Sequence, residues 1–193
     1  MAEVPRLETA RLVLRGFRPA DVEPYVAMMA DPEVCRHLGD GRPLGRADAW
    51  RQLALVAGHW TLRGFGLWAV EERATGAFLG RIGCWEPDGW PALEVGYVLA
   101  RAAWGRGYAR EGAAAALAYA RDVVGRAEVV SLVRPGNAAS IRVARALGAE
   151  PAGVFEFAGA ESAVYRYPGP AAASGKRSPS AGPLPTTRPG SRR

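Results

Sequence analysis

Residues 93–120, LEVGYVLARAAWGRGYAREGAAAALAYA, pass from a strand pattern through a glycine turn into a helix pattern without interruption. No other stretch constrains the fold as tightly. Leu93, Val95, Tyr97 and Leu99 alternate with Glu94, Gly96, Val98 and Ala100, a period of two that predicts a strand. From Tyr108 onward strong helix formers run without proline, with Leu117, Ala120 and Val124 at helical spacing and Glu111 in the first turn. A helix follows the turn.

Between the two lie Trp104, Gly105, Arg106, Gly107, Tyr108 and Ala109. Two glycines in such a turn let backbone amides converge where a side chain would block approach, and the helix N-terminus favours an anion. Arg106 and Arg110 could add charge-assisted hydrogen bonds. A phosphate or pyrophosphate site and a plain tight turn with solvated arginines explain these residues about equally well. A P-loop is excluded, because no Gly-Lys-Ser/Thr closes the turn. A dinucleotide fingerprint is weak, because Arg110 follows Ala109 and the third glycine is missing.

The remaining pattern resembles the GNAT superfamily of N-acetyltransferases, whose acetyl-CoA pyrophosphate loop reads R/Q-x-x-G-x-G/A. Trp104, Gly107 and Ala109 occupy its defined positions. Tryptophan in place of arginine or glutamine, after E-x-G-Y, is similar to the branch of RimJ/RimL-type ribosomal-protein N-terminal acetyltransferases, as is the opening ETARLVLRGF. A second hallmark lies at Asn137-Ala138-Ala139-Ser140-Ile141-Arg142, ending at Gly148. Locally this is a helix with an asparagine cap and a glycine stop. In the family the asparagine bonds the pantetheine arm.

The resemblance covers roughly residues 7–167. It implies a mixed α/β GNAT fold with a central, largely antiparallel sheet of six to seven strands and about four helices. Acetyl-CoA is then the co-substrate, held by Val98, Leu99, Trp104, Gly105, Arg106, Gly107, Tyr108, Ala109, Arg110 and Asn137. Tyr97 and Trp104 are also candidates to pack against it, although aromatic residues in such positions are more often core. The implied activity is direct acetyl transfer to a primary amine, with a protein or peptide N-terminus favoured. Alternatives are a small amine such as an aminoglycoside or polyamine, or a non-catalytic acyl-CoA-binding module.

Acetyl transfer needs a neutral amine and a proton for the departing thiolate. The tyrosine acid of many members would fall at Ala144, so it is absent. Ser140, one helical turn earlier on the same face, takes the acid role. By resemblance Glu94, at the start of the strand that lines the cleft in the family, is the expected base, and Gly96 and Val98 share its face and leave room for substrate. A strand-edge surface carboxylate is nearly as good a reading of Glu94. His37 and His59 are further base candidates that read better as loop or helix-surface residues.

Upstream, 9–15 reads as a strand, 21–30 as a helix ended by Asp31-Pro32, and the segment through Pro43 as loop. Arg46 to Arg63 reads as a helix with Trp50, Leu53, Ala54, Ala57 and Trp60 in register. By resemblance these two helices flank the acceptor site. Residues 65–71 and 77–86 form a hairpin, 128–133 a further strand, 138–147 a helix, and 154–157 with 163–167 a closing hairpin.

At 193 residues one domain is expected. The net charge of +6 concentrates after residue 168, where five basic residues meet no acidic one, leaving 20 basic against 19 acidic before it. The resemblance implies an acetyltransferase domain over residues 1–168, and the change of composition after Tyr167 predicts a disordered, basic, Pro/Gly/Ser-rich tail over 169–193. Nucleic acid is not an expected partner beyond weak tail contacts. Cys35 and Cys84 suit reduced structural roles, no metal ligand set stands out, and no apolar run approaches the ~20 residues of a membrane span. A cytoplasmic monomer or homodimer is expected.

Overall fold

The computed structural model describes residues 3–157 and 159–169; most of the expected tail, 170–193, lies outside them. In chain order the elements are β1 (Leu7–Glu8), β2 (Leu12–Arg15), α1 (Val22–Met29), α2 (Pro32–Cys35), α3 (Arg46–Arg63), β3 (Leu67–Glu72) and β4 (Phe78–Trp85). They continue with β5 (Leu93–Leu99), α4 (Tyr108–Asp122), β6 (Val129–Val133), α5 (Ala138–Ala146), β7 (Glu150–Phe157) and β8 (Ala160–Arg166).

Eight strands form one sheet in the order β1-β2-β3-β4-β5-β6-β8-β7. All neighbours are antiparallel except β5 and β6, the pair joined through α4. That crossover is needed because parallel strands cannot be joined by a tight turn. The sheet has one strand more than the upper expectation and one more helix. The strand expected over 9–15 shortens to β2, and the additional strand is β1, which precedes it across a bend at residues 10–11. The extra helix is α2, where Asp31 accepts a bond from the Glu33 N–H and Pro32 takes the first helical position.

The sheet has a different layer on each face. On one, α4 and α5 cover Leu12, Trp68, Ile82, Val95 and Val129 in the main core. The small residues of α4 let it approach closely: a Cβ on Gly112 would lie 2.5 Å from Ile82 Cδ1. On the other face, Tyr25, Met28 and Met29 of α1 pack with Cys35 and Leu53 against Val98 and Phe78. Helix α3 serves both layers, since Leu53 joins this second cluster while Trp60 reaches the main core. Its buried stripe is Ala49, Leu53, Val56 and Trp60. Trp50 is 56% exposed, and Ala54 and Ala57 are also exposed, because apolar residues run around much of this helix and periodicity alone misplaces the face.

Arg15 holds β2 to the start of α1 by a bidentate contact to Asp21, at 2.7 and 2.9 Å, and reaches Glu71 at 2.7 Å. Both Arg15 and Asp21 are almost wholly buried, so truncating one strands the other's charge. Asp21→Ala should therefore lower the unfolding free energy by about 3–5 kcal/mol, read as a fall in the denaturant midpoint.

Candidate active site

The geometry of the site begins where β5 and β6 part. These strands pair only at Leu93↔Val129 and Glu94↔Val130. At the apex, Ser131 Oγ donates to the Val95 carbonyl at 2.6 Å and lies 2.9 Å from the Tyr167 hydroxyl. Beyond it the strands diverge. Backbone groups alternate sides along a strand, so those of Tyr97 and Leu99 face the opening, as Val95 does, while Ala100 bonds back across β4 to Leu79. Trp104 Nε1 occupies the Leu99 carbonyl at 2.8 Å. The Tyr97 amide and carbonyl and the Leu99 amide are left to meet a ligand in the split.

A cleft of ≈ 720 Å³ runs from this opening to the N-terminus of α4. Val98, Leu99, Trp104, Gly105, Gly107, Tyr108, Ala109, Arg110 and Asn137 all line it. Gly105 and Gly107 have φ of 73° and 80°, left-handed values that suit glycine, and Gly107 is the N-terminal cap of α4. The α4 backbone bond from Glu111 to Gly107 leaves the preceding first-turn amides without helical partners. Arg106 is directed elsewhere. Its guanidinium pairs with Glu72 at 2.7 Å and lies over the Tyr108 ring, whose hydroxyl also bonds Glu72. Arg142, unremarked in the sequence reading although it sits in the second hallmark, lines the cleft beside Arg110.

A second cleft of ≈ 690 Å³ adjoins the first, among Leu55, Trp85, Trp90, Phe155 and Phe157. The two clefts share His37, Leu38, Tyr97, Val98, Asn137 and Ser140. Asn137 Oδ1 accepts from the Ser140 amide at 3.1 Å, which caps α5 and leaves the side-chain NH₂ for a ligand. Tyr97 donates its hydroxyl to the Ser140 carbonyl at 3.1 Å and so fixes this turn. Ala144 is fully buried.

Glu94 lies on the floor of the second cleft. Its carboxylate stands over Gly96, where a Cβ would come 3.4 Å from Oε1. Burial pushes its pKa up to about 7, against the opposing hydrogen bond from Trp90 Nε1 at 2.7 Å and the influence of the Leu132 amide and Arg81. A carboxyl that half-ionises near neutrality suits proton abstraction at physiological pH. His37 stands at the mouth of both clefts, and burial lowers its pKa. His59 does not lie on a helix surface but in the core: Nδ1–H donates to the Phe65 carbonyl at 2.7 Å and Nε2 accepts from the Glu86 amide at 3.2 Å. It is a packing residue.

The raised pKa of Glu94 also makes a stability statement. The folded state holds this proton more tightly than the unfolded chain, so the contribution is complete below the unfolded value of about 4.5 and is lost as pH rises through about 7. Glu94→Gln keeps an acceptor for Trp90 and removes the ionisation. It should match wild type in stability near pH 4 and exceed it by about 2 kcal/mol at pH 8, allowing for partial solvent screening, as measured by denaturant unfolding at both pH values.

The family model described as an acetyltransferase (GNAT) domain matches residues 11–150. The chain is 32% identical over 151 residues to an uncharacterized protein, YkkB, of Bacillus subtilis (strain 168), covering 74% of this chain and 84% of that one. It is similar to the crystal structure of an acetyltransferase from Agrobacterium tumefaciens str. C58, with a TM-score of 0.77 and 31% identity over 86% of this chain and 96% of the other. The RimL ribosomal L7/L12 alpha-N-protein acetyltransferase in complex with coenzyme A shares the fold, with a TM-score of 0.68 and 18% identity over 84% of this chain and 97% of that one.

Proposed function

The chain belongs to the GNAT acetyltransferase family, and we propose that it moves an acetyl group from acetyl-CoA directly to a primary amine, with a protein or peptide N-terminus the favoured acceptor. The observation that carries this reading is the meeting of two clefts at Ser140 and Asn137, with Glu94 on the floor of only one. A donor in one cleft and an acceptor in the other can touch where the two share residues, as a ternary complex requires.

The residues of the first cleft fit acetyl-CoA. Left-handed glycines at Gly105 and Gly107, the free amides opening α4, and the guanidinium groups of Arg110 and Arg142 form a cradle for phosphates. The Tyr97 and Leu99 backbone groups suit the amides of a pantetheine arm, and the Asn137 NH₂ adds a donor. When bound, the thioester supplies the acetyl group and a thiolate leaving group.

On the acceptor side, Glu94 takes a proton from the ammonium form of the amine through water, which yields the nucleophile. Ser140 directs its hydroxyl to the departing sulfur; a serine is a weak acid, so it stabilises the thiolate by hydrogen bonding while water delivers the proton. The preference for a protein N-terminus rests on the RimJ/RimL-like opening and turn motifs. The test is a panel of N-terminal peptides, polyamines and aminoglycosides incubated with acetyl-CoA, with release of free CoA thiol as the readout. Turnover confined to peptides supports the acceptor; turnover confined to polyamines or aminoglycosides replaces it; binding of acetyl-CoA without turnover leaves a binding module.

A further inference from the structure

Arg81 lies on β4 directly opposite Val98 of β5 and lines the second cleft. Its Nε is buried without a hydrogen-bond partner, and its side chain makes no hydrogen bond or ion pair among the described residues. Two other arginines also have a buried unpartnered Nε, but each has a terminal nitrogen engaged, Arg121 with the Pro168 carbonyl and Arg166 with Glu128. Arg81 differs in being wholly without a partner in a site built to receive a ligand. Buried polar groups are ordinarily satisfied, so an idle guanidinium in a cleft points to what the cleft takes.

The surroundings give the sign of the missing partner. Arg134, on the same cleft, bonds only to the carbonyls of Gly39 and Glu161. Asp40 on this wall is already paired with Arg42 at 2.8 Å. The cleft therefore presents two guanidinium groups against one carboxyl that is half-protonated near neutrality. The Glu94 carboxylate stands over Gly96, two residues, or roughly 7 Å along the strand, from the level of Arg81. Gly96 carries no side chain, so the carboxylate reaches over it into the cleft.

We infer that Arg81 binds a carboxylate carried by the acceptor close to its amine, so that the acceptor lies in the second cleft with its amine at Glu94 and its anion at Arg81. Trp85, Trp90 and Phe155 wall the same cleft and suit an apolar or aromatic body. Two sources offer this chemistry: an acidic residue near a peptide N-terminus, or a small amino acid. The inference rests on the acetyl-transfer reading for the fate of the amine but not for the anion.

Arg81→Gln and Arg81→Lys decide it. Each is assayed on matched acceptors: a hexapeptide with glutamate at its second position against the same peptide with glutamine, and phenylalanine against phenylalaninamide. For one carboxylate acceptor, Arg81→Gln should lower kcat/KM about 10- to 100-fold, mainly through KM, while the uncharged partner changes less than about 3-fold. Lysine should restore part of the loss, since it keeps the charge without the fork. The pair that shows this coupling names the source. Equal losses on both members of each pair overturn the inference. If wild type acetylates none of them, the proposed function fails for these acceptors. Calorimetric binding of the same pairs to the CoA-loaded protein then decides the anion site: a preference for the carboxylate that Arg81→Gln removes upholds it, and equal affinities overturn it.

Discussion

Gly107→Asp should cost the protein acetyl-CoA binding, with affinity falling roughly 100-fold or more while the fold persists. Gly107 caps α4 at φ +80°, where an L-residue is strained. The larger effect is electrostatic. An aspartate at a helix cap accepts from the amides two and three residues on, which here belong to Ala109 and Arg110, the groups offered to the pyrophosphate. It would also set a negative charge against the ligand and draw on Arg11, whose Nη2 is 3.4 Å from the position of a Cβ there and which already pairs with Glu111. Gly107→Ala carries the strain without the charge and should lose much less. Calorimetric titration of acetyl-CoA, with circular dichroism to confirm the helix content, separates the two. Near-wild-type affinity in the aspartate variant would exclude this turn as the phosphate cradle.

The elements flanking that turn were legible in the sequence because each carries its own period and its own punctuation. β5 alternates, α4 follows two glycines, and α5 is bounded by Asn137 and Gly148. The one-turn α2 was hidden by treating Asp31-Pro32 only as a helix stop, although an aspartate cap with proline at the first helical position also starts one. The placement of β8 rather than β7 beside β6 was not legible, since both strands of the closing hairpin carry apolar residues and the choice depends on long-range pairing. The site divides in the same way. The motifs point to Glu94, Asn137 and Ser140, which line adjoining clefts in the fold. Arg81, Trp85 and Trp90 join them only through sheet register and loop packing, which leave no local signal. Arg106 shows the converse, because its motif position gives no hint that Glu72, 34 residues away, engages its side chain.

Ser140 and Glu94 should fail in different ways, because each substitution leaves a different deficit in the cleft. Ser140→Ala removes one hydroxyl that makes no bond of its own in the fold, and Asn137 still caps α5 through the Ser140 backbone. Affinity for acetyl-CoA should hold while turnover falls roughly 10- to 10⁴-fold, at every pH, as expected when a positioned donor is lost. Glu94→Gln should also lower turnover within that range, but with a changed pH profile. With burial raising Glu94 to about 7, wild-type kcat/KM should climb as pH rises through that value and the base ionises. The glutamine variant has no such limb and follows the free amine instead, near pH 8 for a protein N-terminus. Below pH 7 the two activities fall in parallel and the defect is constant and largest; above pH 8 the amine loses its proton unaided and the defect shrinks. Profiles of kcat/KM from pH 5.5 to 9.5 for wild type and both variants carry the test. A Glu94→Gln defect that stays constant across the whole range makes Glu94 a binding residue rather than the base. Joint loss of acetyl-CoA affinity and turnover in Ser140→Ala removes Ser140 from the acid role.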